Sequence, residues 1–526
     1  MKRRQALRAL AAAPFLQVAK RTRRPNLLFL IADDHAGYVL GADGNRRART
    51  PHLDRLAAGG VRLAANYCNS PVCTPSRQCI LTGRMPHAAG VTRLPTPLSP
   101  GLPTIAKQLR RAGYATAVFG KMHWNRRPEP GLHGFDVALA DQAGYQIHNE
   151  RVQAQPTPPG VRVKPAWRPF QDPARIWLNA EKLPFARYHA DMRGAFVARW
   201  GLEYLKDRRT HPFALWLSFN EPHSPFDFPL EDRGRADPAA FDVPRVGPED
   251  PPQIPLIFRD LTGDDTRGIN AAYYTSVEFL DRNVGAVLDG LQKLGLEENT
   301  LVVYTADHGY CLGHHGRFEK HCCFDPALRT PLIFRHPAAL RGGRTVRALT
   351  ESVDIGPTIL EWLGAAPLPV THGQSFVPLL RGSSPRHRDL VFTEYLENEE
   401  AAVRTAEWKF IYCTGRRERG DGYKTDNPTP GRYRRLYDLR SDPGEFVNLA
   451  GRSEHAATVE RLQRALVQRF LDTHPEAVQL PTGLSLDQQL DYFLRPRDAP
   501  NHDRQGADGS ASHTTPSEPR RVPSHA

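Results

Sequence analysis

The sequence predicts a three-layer α/β sandwich with a mainly parallel central sheet, joined to a smaller C-terminal α+β subdomain with a short antiparallel sheet. Three observations lead there. Four apolar runs, at 26–32, 115–119, 213–219 and 300–305, are continuous rather than alternating, as expected of strands covered on both faces. Helical patterns fall between them, the alternation that builds a parallel sheet. Beyond about residue 385 the runs become short and turn-interrupted, which suits antiparallel pairing.

The elements follow in chain order. Residues 1–24 hold Lys2, Arg3, Arg4, Arg8, Lys20, Arg21, Arg23 and Arg24 and no acidic residue, with a short apolar stretch at 6–16. That reads as a leader of the twin-arginine type and predicts a periplasmic or secreted protein. It also leaves only +5 of the formal +13 charge to the rest of the chain, so a nucleic-acid-binding surface is not expected. No apolar run is long enough to cross a membrane. Helices are predicted at 103–112 and at 273–294, where Val277, Leu280, Val284, Val287, Leu288 and Leu291 recur at helical spacing. Residues 352–364 read as a helix returning to the core. Short strands follow at 390–395, 402–405, 409–412 and 435–438. A helix at 457–471 then carries Val459, Leu462, Leu466, Phe470 and Leu471 on one stripe. The Pro-rich stretches 146–172 and 225–255 read as long loops, of the kind that select substrates. The tail 497–526 has a disordered composition. The domain reading is thus a leader at 1–24, a catalytic domain at 25–384, a C-terminal subdomain at 385–496 and a tail.

Each of the four long runs ends in charged or titratable residues. The first reaches Asp33-Asp34, the second Lys121 and His123, the third His223 and the fourth Asp307-His308. In open α/β sheets the site lies beyond the carboxyl ends of the strands, so these groups are expected to converge. Adjacent carboxylates beside a third cannot all stay ionised without a cation. Oxygen ligands favour Ca²⁺ or Mg²⁺, and the His308 imidazole keeps Mn²⁺ or Zn²⁺ open. Pro75 suits the first turn of a helix and Gly83 its end, which puts Cys73 at a helix N-terminus, a site that favours an anion. The seven cysteines (Cys68, Cys73, Cys79, Cys311, Cys322, Cys323, Cys413) show neither metal-type spacing nor a disulfide framework.

Cys73-Thr-Pro-Ser-Arg77 with Leu81-Thr-Gly-Arg84 resembles the signature of formylglycine-dependent sulfatases, of the alkaline phosphatase superfamily. Lys121-x-His123, Asp307-His308-Gly309 with Lys320 beyond it, and 436–445 followed by Asn448-Leu-Ala450 resemble further elements of that family, so the likeness spans about residues 25–475. It implies oxidation of Cys73 to formylglycine by a formylglycine-generating enzyme, and one divalent metal, Ca²⁺ by family habit, held by Asp33, Asp34, residue 73, Asp307 and His308. It implies that Lys121 clamps a sulfate oxygen and that His123 takes a proton when the aldehyde re-forms. His223 and Lys320 would assist the leaving alcohol, and Arg77 would hold the aldehyde and metal ligands in place. The activity implied is hydrolysis of a sulfate monoester, on a sulfated carbohydrate or a small ester. A phosphonate monoester or phosphodiester hydrolase shares the same cysteine motif. A non-catalytic protein binding anionic sugars, and an enzyme using the Cys73 thiol unmodified, are further alternatives. Against the last, the three carboxylates nearby are expected to raise the thiol pKa unless the metal offsets them.

Overall fold

The computed structural model describes residues 24–126, 129–152, 155–207, 212–416 and 432–498. The predicted leader, but for Arg24, and the predicted tail beyond Asp498 lie outside these residues.

The central sheet has eight strands. Four of them are Thr300–Ala306, Asn26–Ala32, Phe213–Ser218 and Ala115–Gly120, which stand side by side in that order and run parallel. Register aligns Ile31 with Thr305 on one side and with Ser218 on the other, and Ser218 with Gly120. The four runs read from the sequence are therefore neighbours, and their charged ends meet on one edge. Val137–Ala140 extends the sheet beyond Ala115–Gly120. On the far side Leu332–Arg335 runs antiparallel to its neighbours, so the sheet is parallel only in its main part.

Continuous apolarity has its expected cause. Leu27, Phe29 and Ile31 pack with Ile105, Leu109, Ile355 and Ile359 on one face. Leu28, Leu30 and Ala32 pack with Leu53, Val197, Leu280, Val284 and Leu291 on the other. Each large side chain removed from water in this way contributes roughly 1.5–3 kcal/mol. The helix predicted at 273–294 runs Gly263–Lys293, beginning at a capping box between Thr262 and Asp265. The stretch 146–172 is not all loop, because the helix Asp141–Arg151 occupies its start.

Val391–Tyr395, Glu400–Arg404, Trp408–Cys413 and Tyr433–Asp438 form an antiparallel meander. One face carries Val391, Tyr395, Ala402 and Ile411 toward Cys68 and Phe324 of the large domain. The other carries Phe392, Val403 and Phe410 under the helices Ala456–Thr473 and Leu486–Phe493. Lys409 of the meander is fully buried and pairs with Asp325 (2.8 Å) and Glu445 (2.6 Å). Glu445 of the C-terminal signature also accepts the Asp325 N–H (2.8 Å), so that motif fastens the meander to the loop beyond Lys320.

Candidate active site

Cys73 opens the helix Cys73–Thr82, every residue of which is buried. Pro75 lies in its first turn, where an N–H would have no intrahelical partner. Gly83 closes the helix with φ 66°. A Cβ there would come within 2.6 Å of both Leu368 and Thr371. At the neighbouring strand end Gly120 has φ 102°, and a Cβ would meet the Ser218 carbonyl oxygen at 1.9 Å. Only glycine lets that strand turn into Lys121.

The Cys73 sulfur is the centre of the site. Lys320 Nζ lies 3.1 Å away, His308 Nε2 3.3 Å, Asp33 Oδ1 3.4 Å and Lys121 Nζ 4.0 Å. Lys121 pairs with Asp33, and Lys320 with Asp34 (2.8 Å). Arg77 is buried behind them. Its Nε donates to Asp307 (2.9 Å), and its Nη1 to the Lys121 carbonyl (2.7 Å) and Ser218 Oγ (2.8 Å). Asp34 has φ 64°, held by Asp307 accepting its N–H (3.1 Å) and by Tyr273 donating to its carbonyl (2.5 Å). His223 donates Nδ1–H to the Ser224 carbonyl (2.6 Å), which aims Nε2 at Asp34 Oδ2, 3.9 Å away.

Charge in this cluster is strongly perturbed. Burial alone would raise the Cys73 thiol, but Lys121, Lys320 and His308 together pull it well below the usual range. Cationic side chains thus outweigh burial at this sulfur. Burial and Cys73 would raise Asp33 as well, and Lys121, His223 and Arg77 reverse that. Asp307 is pushed up to about 7 by burial, against the pull of Arg77. His123 is lowered by burial and by Lys121, which favours its neutral form.

Oxygen, nitrogen and sulfur donors of Asp33, Asp34, Cys73 and His308 all lie within 4.8 Å of one another. Asp34 Oδ2 is buried without a hydrogen-bond partner, as a cation ligand would be. The donors thus fit a divalent cation. Asp307 stands apart from this set: its Oδ1 accepts the Asp34 and His308 N–H groups and its Oδ2 accepts from Arg77.

The family model described as Sulfatase matches residues 25–365. The chain belongs to the sulfatase family. It is a sulfatase enzyme, and a second model, N-sulphoglucosamine sulphohydrolase, C-terminal, matches residues 313–471. N-acetylglucosamine-6-O-sulfatase of Bacteroides thetaiotaomicron is 26% identical over 86% of this sulfatase and 88% of the relative. Steryl-sulfatase of Mus musculus is 32% identical over 82% and 79%. Among solved structures, phosphonate monoester hydrolase from Silicibacter pomeroyi matches with a TM-score of 0.71 and 26% identity, over 87% of this chain and 97% of that one.

All ten residues singled out in the sequence of this sulfatase meet in one cluster. Four neighbours that hold them were not foreseen. Asp141 accepts the N–H groups of Met122 (2.7 Å), His123 (2.7 Å) and Trp124 (3.3 Å), cradling the loop that carries Lys121 and His123. Gln78 binds the Met122 and His123 carbonyls from the other side (3.1 and 3.0 Å). Ser218 and Tyr273 fix the Arg77 and Asp34 positions. Two further histidines make packing contacts: His35 is buried between Tyr304 and the Val39 carbonyl, and His315 stacks on Phe324 and bonds Asp250. Arg329 pairs with Asp43 (2.8 Å). Among the described residues, no helix is long and apolar enough to cross a membrane.

Proposed function

We propose that this sulfatase hydrolyses sulfate monoesters of sulfated carbohydrates, with residue 73 acting as formylglycine. One observation carries the reading: a buried residue 73, two ammonium groups and a cation-compatible donor set share one point at the sheet edge. Hydrated formylglycine would supply a geminal diol as nucleophile, and a cation held by Asp33, Asp34 and His308 would supply fixed positive charge. Around them, Lys121 and Lys320 hold the sulfuryl oxygens and stabilise charge that builds on them, the kind of term that is worth ~10²–10³ in rate per donor. His123, kept neutral, accepts the hydroxyl proton at its ring nitrogen. His223 delivers a proton from Nε2 to the ester oxygen, its Nδ1–H anchored on Ser224. It keeps 28% side-chain exposure, as a group facing a leaving alcohol would. Arg77 orients Asp307 and the Lys121 carbonyl and does not touch substrate.

The sugar preference leans on the Bacteroides relative and its printed activity. Calcium is the proposed ion, with magnesium or manganese as alternatives. A periplasmic or secreted location, and maturation by a formylglycine-generating enzyme, complete the proposal. The second reading, a phosphonate monoester or phosphodiester hydrolase, is favoured by the similarity to the Silicibacter pomeroyi enzyme. The test is kcat/KM on an aryl sulfate, an aryl phosphodiester and a sulfated N-acetylglucosamine. The proposal expects the sulfate esters to lead, and preference for the phosphorus ester would replace it with the second reading.

A further inference from the structure

All seven cysteines are buried, and the chemistry above uses only Cys73. Of the others, Cys311 and Cys322 face each other with their sulfurs 3.8 Å apart, at 0% and 2% exposure. The backbone between them doubles back on itself: the Cys311 N–H donates to the Glu319 carbonyl (2.8 Å) and the Gly313 N–H to the Arg317 carbonyl (2.8 Å). The segment leaves the strand end that bears Asp307 and His308, and it delivers Lys320 to Asp34 and Cys73 just before it reaches Cys322. We propose that Cys311 and Cys322 are a modification site, closing to an intrachain disulfide in the presence of a small-molecule disulfide and so tying both ends of the segment that presents Lys320.

Two features single out this pairing. A disulfide needs sulfurs at about 2.05 Å with Cβ atoms close together, and these two sulfurs already touch at 3.8 Å. The alternative partner for Cys322, its neighbour Cys323, is engaged elsewhere: its N–H donates to Glu400 Oε1 (3.2 Å), and its thiol interacts with the same carboxylate. Cys322 thus faces Cys311 while Cys323 faces Glu400 of the meander.

The chemistry balances with oxidised glutathione as oxidant. Cys322 is the better attacking sulfur: burial opposes its thiolate, but the hydrogen bond from Cys311 and the Arg317 guanidinium outweigh burial. Its thiolate attacks one glutathione sulfur, breaks that S–S bond and releases one glutathione thiol. Cys311 then loses its proton, attacks Cys322 Sγ and releases the second. Two protein thiols are oxidised and one disulfide is reduced to two thiols. Because the tie leaves Lys320 where it already lies, the oxidised enzyme keeps its turnover and resists unfolding of the segment.

The full-length enzyme is equilibrated in glutathione buffers of graded oxidising strength, quenched with acid, alkylated, digested with trypsin and weighed. Peptides 294–317 and 321–329 are expected as one linked species, lighter than their sum by two hydrogen atoms, in a fraction that rises with oxidised glutathione. Fragmentation places the bond at Cys322, and Cys323→Ser retains it. Oxidised enzyme outlasts reduced enzyme in heat-inactivation half-life by about twofold or more, a difference absent in Cys322→Ser. The proposal is overturned if both peptides stay separate and fully alkylated in the most oxidising buffer, or if the bond falls on Cys323 or Cys68. The wild-type titration decides even if a variant misfolds.

Discussion

Asp141 gives the sharpest test of how the site is held. Its carboxylate takes three consecutive backbone N–H groups, two of them at 2.7 Å on the same oxygen. Hydrogen bonds to a charged acceptor are worth about 1.5–3 kcal/mol each, so removing the two short ones releases roughly 3–6 kcal/mol of restraint on the loop. Water entering the gap recovers part of this. Gln78 still grips the loop from the other side through both carbonyls. A net loss of about 3 kcal/mol at the reacting geometry is the working figure, or ~10²-fold in rate at 1.36 kcal/mol per decade. That matches the cost of displacing a catalytic group by about 1 Å. Asp141→Ala is therefore expected to lower kcat for an aryl sulfate ~10²-fold, with formylglycine content and metal affinity unchanged. Asp141→Asn, which keeps one acceptor oxygen but turns an amide donor toward the Trp124 N–H, should fall between. If Asp141→Ala turns over within twofold of wild type, the loop is positioned by other contacts and the argument fails.

Other consequences follow from the same geometry. The lowered His123 imidazole must be neutral to accept a proton, so activity is lost as pH falls through its pKa. The acid limb of kcat/KM should lie below 6.5, the ordinary histidine value, and a limb above it would contradict the assignment. Removing divalent cations with a chelator should abolish turnover, and adding Ca²⁺ should restore it and raise the unfolding temperature by binding only the folded state. Full activity in metal-free enzyme would exclude a cation role for Asp33, Asp34 and His308. Glu221, buried with Oε2 unpartnered, is raised by burial from 4.5 to about 7. Over that window the folded chain binds the extra proton, so stability falls as pH rises from 4.5 to 7, by about 3 kcal/mol in all. Glu221→Gln should flatten this part of the unfolding-temperature profile, and an unchanged slope would show that Glu221 ionises freely in the fold.

The parts legible in sequence were those where burial is two-sided and chemistry sits at strand ends. Asn26–Ala32 was readable to the residue because both faces are covered, so no polar position interrupts it. The helix Gly263–Lys293 was read ten residues short, since its first turns are polar and the signal there is the Thr262 cap rather than apolar spacing. Val61–Leu63 and Val137–Ala140 span three and four residues, too few to establish a period. Asp141 follows one of those strands and so carried no signal of its own. The ten clustered residues stood out because each stands next to a long apolar strand or within a motif. The supports Asp141, Ser218 and Tyr273 act through backbone groups of distant segments, a relation that only folding creates. The contacts of Lys320 and Lys121 with the Cys73 sulfur are of the same kind, since both reach it from other segments.

The most direct test of the central claim is the mass of the tryptic peptide 63–77, from protein produced alongside an active formylglycine-generating enzyme. The account predicts an aldehyde at residue 73 in place of the thiol, in a fraction that tracks sulfatase turnover from one preparation to the next. An intact thiol in fully active enzyme would contradict it.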